Sequence, residues 1–327
     1  MTTYWKSLPI RAKEEYDAGL IGGEGLQLPH GIDRSESNPD YIYWNHDNSG
    51  PWKSMDGGNT WQRCLSKGLS AKNASSIAVD PRDPNRVFAL MCHLWYTQDV
   101  EFDGLYRSTD GGDNWTLILQ KTVGLDWDKH RYIAKNICFD RATIGDPAAT
   151  TLYTALFYHL DPGDTGRWNP EDGGLWRSTD GGENWSQLVA SEIDKYWQIT
   201  CGGGNVYLAT DEGLKIYTGG DSYAAFGDLP GTEVTSVFVH PDNSDIIYAT
   251  VLHDVGGNGG IYKSIDGGTI FTKLPLDDGA GGYVGECINV YGAFYNHAQP
   301  DTIYVTGDSK AASTWVTHDA GGYVVVE

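Results

Sequence analysis

The 327-residue chain is short of positive charge: 23 Lys+Arg stand against 44 Asp+Glu, a formal net charge of −21. So acidic a surface repels nucleic acid and anionic lipid, which excludes nucleic acid as an expected partner. No apolar run approaches the length of a membrane span, so no membrane insertion is expected. The first residues, MTTYWKSLPIRAKEEYD, lack a basic start followed by an apolar run, so a signal peptide is not expected. Methionine is scarce, at 3, and cysteine is odd in number, at 5, with no CxxC pair. Cys64, Cys92, Cys138, Cys201 and Cys287 lie mostly in strand-like runs such as VFALMCH and AKNICFD. They read as buried free thiols rather than a disulfide framework. No stretch of useful length has helical periodicity. With 40% hydrophobic and 20% charged residues, the chain is not a disordered acidic tail.

What is abundant is glycine (42), tyrosine (20) and tryptophan (12), and much of it falls in repeats. WKSMDGGNTW (Trp52–Trp61), YRSTDGGDNW (Tyr106–Trp115), WRSTDGGENW (Trp176–Trp185) and YKSIDGGTIF (Tyr262–Phe271) are one ten-residue phrase. WVTHDAGGYV (Trp315–Val324) is a weaker copy. YTGGDSYAAF (Tyr217–Phe226) is a decayed one that has lost both glycines after Asp221. The equivalent points Ser54, Ser108, Ser178, Gly219, Ser264 and Thr317 are spaced by 54, 70, 41, 45 and 53 residues. Upstream of each phrase comes an alternating strand (SSIAVD, TSVFVH), a turn rich in Pro, Asp and Asn, and a strand opening with an aliphatic–aromatic pair (VFAL, IIYAT, TIYVT). Strand, turn, strand, loop, strand, Asp turn, strand is the grammar of a propeller blade.

The Ser-x-Asp-x-Gly-x-x-Trp phrase resembles the Asp box, or BNR repeat, of sialidase-like β-propellers. Its chemistry is structural: the carboxylate accepts backbone N–H bonds in a tight turn, glycine takes positive φ, and the aromatic packs between strands. Asp56, Asp110, Asp180, Asp266 and Asp319 are therefore read as scaffold, although each looks like a catalytic acid. The sequons at Asn114 and Asn184 fall inside these phrases and are read as coincidental. The expected fold is all-β: a single β-propeller domain over residues 1–327. It has six recognisable four-stranded blades starting near residues 25, 74, 131, 195, 233 and 284. The stretches 119–131 and 186–196 leave room for a seventh. TYWKSLP, within residues 1–10, resembles a fourth strand and is read as closing the ring. GYVVVE at the other terminus competes for that slot, which opens a route to self-association through terminal strands.

The N-terminal region carries a second resemblance. Trp5-Lys6-Ser7-Leu8, Gly22-Gly23-Glu24-Gly25, His30-Gly31-Ile32, Asn38-Pro39 and Tyr41-Ile42-Tyr43 lead to Asn45-His46-Asp47-Asn48-Ser49-Gly50. This is similar to the start of glycoside hydrolase family 74 xyloglucanases, specifically so over about residues 4–61. The resemblance places Asp47 at one of that family's two catalytic carboxylates. Those enzymes use two tandem propellers, whereas this chain has length for one. The phrase before the aspartate also differs, with Asn45-His46 in place of Arg-Thr. Sialidases share the Asp phrase but need an arginine triad from well-separated blades. The last arginine here is Arg177, so the chain is not read as a sialidase.

Propeller ligands sit at one mouth, so the residues just past each second strand matter most. Counting from the aromatic of each aliphatic–aromatic pair reaches Asp47, Asp211 and Asp308 in three blades, and His93, His159 and His253 in the others. Asp47 and Asp308 are the candidate catalytic carboxylates: the first and sixth blades are neighbours across the ring closure, which would let the two come within the roughly 6.5–9.5 Å that inversion requires. The same aspartates also fit a plainer role, capping the hairpin. No HxH or HExxH spacing supports a metal, and no cofactor is expected. Trp95, Trp127, Trp168 and Trp197 have no scaffold role in the repeats. With Tyr96, His46, His93, His159, Asp211 and His253, the first three of these tryptophans make up the candidate ligand-binding set. Aromatic faces beside carboxylates suit a neutral oligo- or polysaccharide. Three readings stay open: a propeller that binds a neutral β-glycan, an inverting β-glucan hydrolase completed by a partner or second domain, and an assembly or protein-interaction module. An extracellular or virion-surface setting fits the first and third.

Overall fold

The structure, a computed structural model, describes residues 29–46, 50–65, 67–69, 73–92, 102–121, 135–156, 170–190, 193, 196–230, 233–252, 258–274, 289–296, 299–308, 314–317 and 325–326. The chain is all-β, and its sheets are the four-stranded antiparallel blades of a β-propeller. They fall into two compact units. The first unit holds three sheets in which neighbouring strands follow chain order. The first sheet is β1 (Pro29–Arg34), β2 (Ile42–His46), β3 (Trp52–Ser54) and β4 (Gln62–Arg63). The second is β5 (Asn73–Asp80), β6 (Asp83–Cys92), β7 (Gly104–Ser108) and β8 (Thr116–Gln120). The third is β9 (Ile137–Phe139), β10 (Leu152–Leu156), β11 (Gly174–Ser178) and β12 (Ser186–Val189).

The second unit repeats the plan. Its sheets are β13 (Tyr196–Gly202), β14 (Asn205–Thr210), β15 (Gly213–Tyr217) and β16 (Ala224–Ala225); then β17 (Val234–His240), β18 (Asn243–Val251), β19 (Gly260–Ser264) and β20 (Thr272–Lys273); then β21 (Asn289–Asn296), β22 (Gln299–Asp308), β23 (Thr314–Thr317) and β24 (Val325–Val326).

The core lies between sheets. On β6, Phe88, Leu90 and Cys92 face the third sheet, packing with Ile137, Leu152 and Trp176. The alternate residues Val87, Ala89 and Met91 face the first, packing with Tyr43, Cys64 and Trp115. A strand buried on both faces has no polar side, which is why DPNRVFALMC ends as an unbroken apolar run. In the second unit, Tyr207, Ala209, Val237, Val239, Ala249 and Phe271 fill the same kind of seam.

The turns between third and fourth strands follow one plan. In the second sheet, Ser108 Oγ donates to Asp110 Oδ1 at 2.9 Å and accepts the Gly112 N–H at 2.8 Å. Asp110 Oδ1 also accepts from Asn114 N at 2.8 Å, and Trp115 Nε1 donates to Gly112 O at 3.0 Å. The same bonds recur around Asp56, Asp180 and Asp266, except that Phe271 replaces the tryptophan at the last. Gly112 has φ +87, and a Cβ there would stand 2.7 Å from Cys64 Sγ, so only glycine fits. Asn114 Nδ2 and Asn184 Nδ2 donate to Asp110 and Asp180, so both sequon amides are engaged in their turns. Asp319 lies outside the described residues. The decayed copy keeps its aromatic: the Phe226 ring meets Tyr207 edge-on, with centroids 5.2 Å apart.

A cation one residue before the turn serine joins neighbouring sheets. Lys53 Nζ donates to Gly111 O at 2.7 Å and meets Asp113 Oδ1 at 3.0 Å. Arg107 Nη1 reaches Gly181 O at 3.3 Å and Glu183 Oε1 at 2.6 Å. Between the fourth and fifth sheets the equivalent positions are Ile216 and Thr269, and neither charge is present.

Three expectations are corrected, and the place of the C-terminal strand is added. Cys64 and Cys92 are buried free thiols, but Cys138 and Cys201 are disulfide-bonded. Bridging depends on how near two Cα atoms come in space, which residue spacing does not reveal. Trp197, read as having no scaffold role, is buried in β13. Stretch 186–196 hides no blade, since β12 and the start of β13 use it. Within the tail GYVVVE, Val325–Val326 forms the fourth strand of the last sheet, Val326 pairing with Trp315 and Val325 with Val316. Residues 1–10, Cys287 and stretch 122–134 lie outside the described residues.

Candidate functional site

The position of the site follows from strand register. The aliphatic–aromatic pairs Ile42–Tyr43, Val87–Phe88, Leu152–Tyr153, Ile247–Tyr248 and Ile303–Tyr304 face the turn Ser or Thr and the residue before it on the third strand. Val206–Tyr207 faces Tyr217 and Ile216, so Tyr217 rather than Gly219 stands level with the turn serines, a two-residue correction to the decayed repeat. Counting outward from these pairs is therefore counting along equivalent strands. His46 and Asp308 are the last residues of β2 and β22, and Asp47 and Asp211 come directly after β2 and β14. His93 follows β6 directly, while His159 and His253 come shortly after β10 and β18. In each sheet the second strand runs away from the end where the third strand turns into the fourth.

Loop length varies most where the second strands stop. The second-to-third-strand connection is residues 211–212 in the fourth sheet but 93–103 in the second and 157–173 in the third. Variable loops on a regular scaffold are where ligand contacts collect. Trp95, Tyr96, Trp168, His93 and His159 belong to the two long connections, and His253 to residues 252–259. These residues, with Asp47 and Trp127, lie outside the described residues, and of the side chains of His46 and Asp308 nothing is described. Asp211 is described: it is half-buried in a two-residue hairpin loop. Thr210 Oγ1 donates to Gly213 O at 2.6 Å and accepts Glu212 N at 3.2 Å, while Glu212 pairs with Lys215 at 3.4 Å. The hairpin is held by Thr210 and Glu212, which leaves the Asp211 side chain out of those particular bonds.

Two features of this end were not anticipated from the sequence. The first strand carries a register shift at Pro29/Gly31, Ala74/Ser76, Tyr196/Gln198, Val234/Ser236 and Val290/Gly292, one level in five sheets. A bulge there bends the strand and re-aims its side chains, as bulges beside functional sites commonly do. Just inside it runs a level of buried polar residues, Ser76, Asn136, Gln198 and Ser236. Their signal was present as a polar residue directly before Ile77, Ile137, Ile199 and Val237 in otherwise apolar runs.

The opposite end is electrostatically set for structure. Hydrogen bonds hold the carboxyls there below the ordinary 3.8. Asp56 falls to about 2, chiefly through the Thr60 hydroxyl. Asp110 falls to about 2 through the Asn114 amide, and Asp180 to about 2 through the Asn184 N–H. Asp266 is lowered through the Ser264 hydroxyl. Such acids stay ionised and are poor proton donors. A groove of about 470 Å3 at this end is lined by Tyr41, Lys53, Met55, Arg63, Leu65 and Asp113 among others. Among the described residues, no group of three or more His, Cys, Asp or Glu side chains stands together to hold a metal.

No protein-family model matches the chain. Xyloglucanase Xgh74A of Acetivibrio thermocellus is 34% identical over 115 residues, which are 33% of this chain and 13% of that enzyme. The GH74 enzyme of Niastella koreensis superposes with a TM-score of 0.63 at 17% identity, over 91% of this chain and 46% of that one. YCF48 from Cyanidioschyzon merolae superposes with a TM-score of 0.58 at 15% identity, over 92% of this chain and 85% of that one. A second YCF48 structure, bound to D1 peptide, gives 0.57 at 17% identity, over 92% of this chain and 82% of that one. The chain thus spans less than half of the GH74 enzyme and a small part of the xyloglucanase it matches. These likenesses agree on the fold, a β-propeller similar to those of GH74 enzymes.

Proposed function

We propose that the chain is a carbohydrate-directed β-propeller that binds a neutral β-glycan at the end where its second strands stop. The observation that carries this reading is register: an Asp or His stands at or shortly past the end of the second strand in every sheet, where the loops are longest and most varied. The segment 34% identical to a xyloglucanase supports a glucan with β-linkages as the ligand class. Trp95, Tyr96, Trp127 and Trp168 offer ring faces for the apolar side of a sugar, and Asp47, Asp211, Asp308, His46, His93, His159 and His253 take its hydroxyls. The Ser-x-Asp-Gly-Gly turns are Asp boxes, so their carboxylates belong to the scaffold. Hydrolysis adds one requirement, that Asp47 and Asp308 act as an acid–base pair. Reducing-sugar release from xyloglucan tests it. If Asp47→Asn leaves release unchanged, this carboxylate has no catalytic part.

A second reading, a protein-interaction or assembly module, draws on one observation. The chain matches 85% of YCF48, and a YCF48 structure holds a peptide, whereas the GH74 enzyme is more than twice the matched length. Light scattering that shows stable higher assemblies, together with no glycan binding, would favour it.

A further inference from the structure

One buried side chain at the candidate end has nothing to bond. At the polar level of the first strands, Ser76 Oγ accepts Asn136 N at 3.0 Å, and Ser236 Oγ accepts Ala293 N at 3.0 Å. Gln198 Nε2 donates to Val237 O at 3.1 Å. Each of these side chains is satisfied by the neighbouring sheet. Asn136 breaks the pattern. Its backbone is fully used, because its carbonyl accepts Ala155 N at 3.1 Å and Thr154 Oγ1 at 2.9 Å. Its side chain is 0% exposed, yet neither Nδ2 nor Oδ1 has a partner.

A second orphan meets the same serine. Asn45, also 0% exposed, donates Nδ2 to Ser76 O at 2.5 Å and leaves Oδ1 unpartnered. Asn45 is the penultimate residue of β2, so it directly precedes His46 and the candidate Asp47. Asn45 reaches Ser76 through its side-chain amide and Asn136 through its backbone N–H, and the pair keeps one donor group and two acceptor oxygens open, which defines what it recognises. A carboxylate offers only acceptors and would leave both Oδ1 atoms unmet. An ammonium offers only donors and would leave Nδ2 unmet. A hydroxyl does both.

We propose that Asn45 and Asn136 hold a hydroxyl-bearing ligand, either water or a sugar hydroxyl, at the base of the candidate site. Buried polar atoms without protein partners are where ordered water binds. The sugar alternative rests on the glycan reading, and the water alternative does not. Only if a sugar hydroxyl binds does Asn45 join the glycan site as a residue that touches ligand.

Crystals of the protein grown with and without a xyloglucan oligosaccharide test this directly. The expected result is an oxygen at about 2.7–3.2 Å from Asn45 Oδ1 or an Asn136 amide atom. Density present without sugar assigns it to water, and density present only with sugar assigns it to the glycan. No oxygen at either amide in either crystal overturns the proposal. Asn136→Leu, similar in size and apolar, is the solution test. A filled site predicts that the thermal midpoint falls by about 2 °C or more, since the ligand's bonds are lost. A higher midpoint would show that the amide was simply unpaired, and overturns the proposal. Water at Asn136 in a protein that binds no glycan would sink the glycan reading and leave this one standing.

Discussion

Ser108 is 1% exposed and its hydroxyl is engaged by three groups at once: it donates to Asp110 and accepts the N–H groups of Asp110 and Gly112. Ser108→Ala strands the buried Gly112 N–H and should cost about 1–3 kcal/mol in denaturant unfolding. Gly112→Ala should cost at least as much, because it forces positive φ on a side chain that meets Cys64 Sγ at 2.7 Å. A loss below about 0.5 kcal/mol for both would mean that these turns are not the fixed points described here. At this scale the sequence was readable because the chemistry is local: serine, aspartate, glycine and ring lie within ten residues. Cys138 and Cys201 were misread for the opposite reason, since a disulfide is settled by distance in space. The two free thiols among the described residues follow from burial, which pushes Cys64 up to about 12 and Cys92 well above its ordinary value. Neither should react with thiol reagents until the fold opens.

At the scale of elements, strand identity and order were written in the alternation of β5 and the aliphatic–aromatic openings of β6, β18 and β22. The bulge in five first strands was not, because an extra residue opposite one partner leaves no mark on composition. Nor was the joining of sheets through Lys53 and Arg107, whose partners Asp113 and Glu183 come 60 and 76 residues later. Their geometry sets an order of effects. The Lys53 side chain is 8% exposed and also bonds Gly111 O, whereas Asp113 is 47% exposed. Lys53→Met should therefore destabilise more than Asp113→Asn, whose half-exposed carboxylate contributes under about 1 kcal/mol. Urea unfolding of the two variants and their double mutant measures this, and equal losses would contradict it. The pair Arg86–Asp80 is more deeply buried, with Arg86 also donating to Gly181 O. Arg86→Ala should cost about 3–5 kcal/mol, because it leaves the Asp80 charge uncompensated.

Across the whole molecule, the charge of −21 reads first as scaffold. Asp56, Asp110 and Asp180 have folded pKa values of about 2 against an ordinary 3.8, and Asp266 is lowered in the same direction. A depressed folded pKa means that the unfolded chain binds protons first as pH falls. The stabilisation from these four turns is thus present above about pH 4 and lost as pH falls towards 2. Acid unfolding followed by circular dichroism should show this decline, and Asp110→Asn should make it shallower; a profile flat from pH 5 to 2 would refute the assignment. The fold was legible at this scale because repetition wrote each blade more than once. The site was less legible because its residues occur once each, on loops of unequal length, with no second copy to check them against. Register supplies what composition lacked: Asp308 ends β22, and in chain order Asp47 and Asp211 directly follow β2 and β14.

Titration calorimetry with a xyloglucan oligosaccharide tests that placement most directly, using the wild type, Trp95→Ala and Lys53→Met. A glycan site at the second-strand end predicts saturable binding that weakens at least about tenfold, or 1.4 kcal/mol, in Trp95→Ala and persists in Lys53→Met at the opposite end. The absence of binding to any neutral β-glycan would contradict the account, as would binding lost in Lys53→Met but kept in Trp95→Ala.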